Sequence, residues 1–117
     1  MTFPHDVVRR AAEIIGTQGP TPTSPGAVGS DGKLRLCAAA ALAAAGLELR
    51  GGAVARAALE TEIASDLADK DVLERAFLKL GWTREACKER LIFNDDCNPF
   101  ERQERVLAML EMLAFDA

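Results

Sequence analysis

The sequence predicts an all-α fold: a compact single-domain bundle of five to six helices, with residues 27–36 as the one place for a short β-hairpin. Two observations carry this. Alanine and leucine, both strong helix formers, supply the apolar residues, while aromatics amount to five Phe, one Trp and no Tyr. Capping residues and glycine stops also bracket one segment after another along the chain. At 117 residues the chain suits one domain, 1–117, large enough to bury a core without a metal or a disulfide.

The first helix follows from "TFPHDVVRRAAEIIG". Thr2 offers an N-cap and Pro4 falls in the first turn, where no amide donor is needed. Val7, Val8, Ala11, Ala12, Ile14 and Ile15 then keep helical spacing up to Gly16. Residues 17–33, "TQGPTPTSPGAVGSDGK", are too rich in Pro, Gly, Ser and Thr for a helix and read as a long loop. Ala27-Val28 and Leu34–Leu36 flank "GSDG", where Asp-Gly is a hairpin turn signal.

From Cys37 to Ala45 every residue is Cys, Ala or Leu, a second helix that Gly46 is placed to stop. After the turn "LELRGG", Val54, Ala58, Leu59, Ile63 and Leu67 mark one face of a third. Asp71 and Glu74 have capping-box spacing for a fourth, closed by Gly81. Thr83 caps a short fifth, "REACKERLI". Asn98, Pro99 and Glu101 start the last, which runs to about Phe115 with Phe100, Leu107, Leu110 and Ala114 on one face.

Composition excludes some functions. A net charge of −4 and a pI near 5.0 lack the basic footprint that nucleic-acid binding needs. The longest apolar run is far below the ~18–20 residues that span a bilayer, and the first ten residues carry no secretory pattern. Three cysteines without C-x-x-C spacing fit a reducing compartment, so the expected location is cytoplasmic. "GAVGSDGK" lacks the spacing of a phosphate-binding loop, and no G-x-S-x-G elbow is present.

Two stretches hold the candidate chemistry. A reactive Cys37 at a helix entrance needs a base, and His5 is the chain's one histidine. With Asn94 or Asp95 as orienter, these residues make up a Cys-dependent hydrolase or transferase. Against that, free cysteine is among the most buried residue types, and alanines surround this one. In "FNDDCNPFE", residues 93–101, the oxygen-bearing side chains miss the calcium-loop spacing; a turn that caps its own helix accounts for them. No metal site or cofactor is therefore expected. Trp82 reads as an anchor between helices.

Thr17-Gln18-Gly19, "LCAAAAL" at 36–42, "FND" at 93–95 and "RVLAMLEML" at 105–113 occur in that order. This arrangement resembles a family of short bacterial and phage proteins of unknown function. Its members show a Gly-Trp-x-Gln-Gly opening, a Trp-Cys-Ala-x-Gly-Ala-Leu helix, a Trp-Asn-Asp turn and a closing leucine-rich helix. Here Thr17 follows Gly16 without the tryptophan, Leu36 and Phe93 replace the other two, and Ala40 stands at the usual glycine. The resemblance implies that Cys37 lies near Asn94 and Asp95, and it carries over no activity.

The favoured reading is a small interaction or regulatory module with a protein partner. Its binding surface would be the 17–33 loop, with Thr17, Gln18, Gly19, Asp31 and Lys33 as contact residues. Loops on a rigid helical body are where binding groups concentrate.

Overall fold

The structure, a computed structural model, describes residues 3–22, 25–83 and 99–116. Among them are four helices and one hairpin: α1 (His5–Gln18), β1 (Gly26–Val28), β2 (Leu34–Leu36), α2 (Ala38–Ser65), α3 (Asp71–Lys79) and α4 (Pro99–Asp116). The mainly helical expectation holds, but the described helices number four where the sequence predicts five to six. The expected helix over 84–92 and the turn at 93–97 lie outside the described residues.

The expected second and third helices both fall within α2, but they meet at a kink displaced from the expected stop. Gly46 does not stop the second helix. It is buried within α2, and a β-carbon there would stand 2.8 Å from Leu80 Cδ1 and 2.9 Å from Trp82 Cη2. The glycine lets α3's end and the tryptophan lie against the helix. The break comes six residues later, at Gly52, whose φ of 76° is the left-handed region that other residues resist. Beyond it the expected apolar face is only half right. Leu59 and Ile63 are buried, whereas Val54 is 82% exposed because the bend carries the first turn clear of the core.

At the other end of the bundle, α1 continues through Gly16, Thr17 and Gln18 and stops at Gly19, φ 97°. The expected 17–33 loop is thus shorter: α1 takes its first two residues and β1 takes 26–28. β1 and β2 pair antiparallel, Gly26 opposite Leu36, Ala27 opposite Arg35 and Val28 opposite Leu34. The turn has three residues between Gly29 and Lys33, with Gly32 in the left-handed position.

The buried alanines of α2, flanked by Cys37 and Leu42, form the centre. With side chains this small, neighbouring backbones approach closely, and α1, α3 and both strands pack on this helix. α4 lies along α1 through Val106, Leu110 and Leu113, and Gln103 Nε2 donates to the Ile15 carbonyl at 3.1 Å. Trp82 is buried as expected, edge-on to Phe3 at 5.1 Å and tilted against Phe77 at 6.1 Å. By length and composition alone α2 could cross a membrane; in the folded chain its alanine-rich half is the core.

Candidate functional site

Cys37 is both things its position allows. It is the N-cap of α2, with extended backbone (φ −68°, ψ 169°), and its Sγ accepts from Ala40 N at 3.4 Å. Its own N–H donates to the Pro25 carbonyl at 3.1 Å, tying the helix start to the hairpin. Yet its relative exposure is 0%. A thiolate attacking a substrate needs access, and this sulfur has none. His5 lies on the surface in the first turn of α1, and no hydrogen bond among the described residues joins it to Cys37. Asn94 and Asp95 lie outside the described residues, as does their expected approach to Cys37.

A concave surface opens elsewhere, between α1, β2 and the part of α2 beyond Gly52. This depression has a volume of ≈ 220 Å³; Arg10, Thr17 and Gln18 form one wall, Arg56 and Glu60 the other, and Leu34 the floor. Its walls carry ion pairs, and Glu48, outside the lining, ties the two arginines together. Arg10 donates to Glu13 at 2.8 Å and to Glu48 at 3.1 Å; Arg56 donates to Glu48 at 2.8 Å and to Glu60 at 2.8 Å. Glu48 therefore joins α1 to both sides of the Gly52 break.

The charges respond to this arrangement. The Arg56 guanidinium, opposed by burial and reinforced by Arg10, holds the Glu48 carboxyl below its ordinary value. Burial pulls the Arg56 pKa down, but its bonds to Glu48 and Glu60 leave it raised. Two guanidinium groups face three carboxylates, so the network carries one excess negative charge. The most exposed of these side chains is Glu13, at 65%.

Gln18 completes the site. Its Nε2 donates to the Leu36 carbonyl at 2.6 Å, and its Oε1 accepts from Leu36 N at 2.8 Å. A side-chain amide thus pairs with the strand as a neighbouring backbone would. Arg35 Nε donates to the Gln18 carbonyl at 3.0 Å, capping the end of α1. Asp31 accepts from Lys33 N at 3.1 Å and pairs with Arg35 at 3.2 Å. The Lys33 amide, opposed by burial and reinforced by Arg35, holds its carboxyl below the ordinary range.

Of the five expected contact residues, Thr17 and Gln18 line the depression, while Gly19 lies just past α1 and Asp31 and Lys33 sit at the exposed hairpin turn. Gln18 and Asp31 are already engaged within the fold. Sequence reasoning missed Arg10, Glu48, Arg56 and Glu60. Only Arg10–Glu13 and Arg56–Glu60, at three- and four-residue spacing on one helix, were visible as pairs. Among the described residues no group of three or more His, Cys, Asp or Glu is placed to hold a metal. No family model matches this chain, and no curated protein or solved structure shows significant similarity to it.

Proposed function

We propose that the protein is a small cytoplasmic interaction module and that its working surface is the depression between α1, β2 and the distal part of α2. The observation that carries this reading is the pairing of an open, charged concavity with ion pairs that link its walls across α1 and both sides of the Gly52 break. Thr17 is exposed at the rim and Leu34 is half-buried at the floor, so the surface offers polar and apolar contact together. Preorganised walls lower the entropy lost on binding. A Cys37-dependent hydrolase is the weaker reading, because the sulfur is sealed in the core.

The test compares proteins captured from a bacterial lysate by the wild-type chain and by three variants. Thr17→Arg fills the depression without removing an internal hydrogen bond, and Glu60→Lys inverts one wall. Both should lose the captured protein, while Leu78→Ser, at an exposed position on α3, should retain it. Undiminished capture by Thr17→Arg would place the working surface elsewhere. Loss on Cys37→Ala, in a variant that keeps wild-type stability, would favour the thiol chemistry.

A further inference from the structure

We infer that the depression binds an extended peptide segment carrying a basic residue next to an apolar one, by adding it as a strand to the open edge of β2 at Leu34. The inference rests on the functional reading above and names the class of partner.

The hairpin's hydrogen bonds fix which way each strand residue points. Gly29 N donates to Lys33 O at 3.0 Å and Cys37 N donates to Pro25 O at 3.1 Å, so these two cross-strand pairs are hydrogen-bonded. In an antiparallel ladder such pairs alternate with non-bonded ones. The register makes Gly26–Leu36 and Val28–Leu34 the non-bonded pairs, so the N–H and C=O of Leu34 and Leu36 point away from β1. Leu36 confirms the direction, because both of its groups meet the Gln18 carboxamide.

Gln18 therefore shows that this edge accepts an amide, and it fills only one position of it. Leu34, two residues back on the same edge, lines the depression and directs an amide and a carbonyl outward. A strand added there meets one donor and one acceptor at peptide spacing. At ≈ 220 Å³ the space lies below the about 300–1,000 Å³ of pockets that enclose a drug-sized ligand. It suits a short length of chain that continues past both ends.

Charge selects the side chains. Glu13 and Glu60 stand on opposite walls, while Arg10 and Arg56 already donate to carboxylates. Because Glu48, outside the depression, takes a bond from both arginines, the Glu13 and Glu60 carboxylates are the groups placed to meet a lysine or arginine on the incoming strand. Ile14 and Leu34 offer the apolar contact for its neighbour.

The experiment titrates 15N-labelled full-length protein with a blocked peptide of alternating valine and lysine. Controls are the same peptide N-methylated along its backbone and a version with glutamate for lysine. Saturable shifts are expected at the Leu34 and Leu36 amides, with binding roughly tenfold weaker for the N-methylated control, the size of one lost peptide hydrogen bond, and weaker also for the glutamate control, which sets like charge against Glu13 and Glu60. Shifts centred on Val28 or Val54, equal binding of the N-methylated peptide, or no saturable shift would each overturn the inference. If the peptides fail while Thr17→Arg still abolishes capture, strand addition is wrong and the functional reading stands. If Thr17→Arg captures normally, that reading itself has failed.

Discussion

Replacing Gln18 separates its structural role from any role in binding. In Gln18→Ala the Leu36 N–H and C=O lose both partners at 2.8 and 2.6 Å, while the Arg35 bond to the residue-18 carbonyl is unaffected. Leu36 is buried, so water compensates poorly. Each bond contributes about 1 kcal/mol net, giving a loss of ~2 kcal/mol and a fall in Tm of roughly 8 °C for a domain this size. Gln18→Glu sharpens the argument. At neutral pH the carboxylate still accepts from Leu36 N–H, but its second oxygen faces the Leu36 carbonyl, two acceptors where a donor stood. The cost should be at least that of the alanine variant. A protonated carboxyl has one acceptor and one donor, like the carboxamide, so folding favours the protonated form and raises the folded pKa above about 4.3. The variant's deficit should therefore be smallest below that value and should grow as pH rises through the folded pKa. Urea unfolding of wild type and both variants at pH 7.5 and pH 4 measures this, with wild type at each pH removing the general acid effect. A Gln18→Glu deficit equal at the two pH values, or a Gln18→Ala loss below about 0.5 kcal/mol, would refute the double bond to Leu36.

Other consequences can be checked in the same way. Helix propensity alone makes Gly46→Ala stabilising by about 1 kcal/mol, but overpacking costs about 1–3 kcal/mol, so the contacts at 2.8 and 2.9 Å predict a net loss. A higher urea midpoint would show that Leu80 and Trp82 do not press on this glycine. With Cys87 and Cys97 replaced by serine, Cys37 should react slowly with a thiol reagent in the native state and rapidly once unfolded; a native rate like that of free cysteine would contradict its burial. The Glu48 carboxyl is held below its ordinary value, so its stabilisation is present above about pH 4.3 and is lost as pH falls through the folded pKa. Glu48→Gln should accordingly flatten the acid limb of the stability profile, and an unchanged limb would mean that the Arg10–Glu48–Arg56 pairs contribute nothing measurable.

What the sequence determined by itself is local. The apolar spacing of Val7 to Ile15 builds α1, Asp31-Gly32 turns the hairpin, and Gly81 closes α3, because each depends on neighbours a few residues away. The alanine run likewise announces a close-packed helix, and the burial of Cys37 follows from its company. The tertiary structure decided the rest. Gly46 looks like a helix stop in isolation, but its missing side chain makes room for Leu80 and Trp82, which arrive from more than thirty residues away. Val54 belongs to the apolar face by spacing and is exposed by a bend at Gly52 that spacing does not encode. The depression depends on such distant meetings throughout. Arg10 finds Glu48, and Gln18 finds the edge of β2, only once α1 has packed across α2 and the hairpin. Helix and turn formation are short-range and readable from adjacent residues; a binding surface assembled from three elements exists only after their packing brings those residues together.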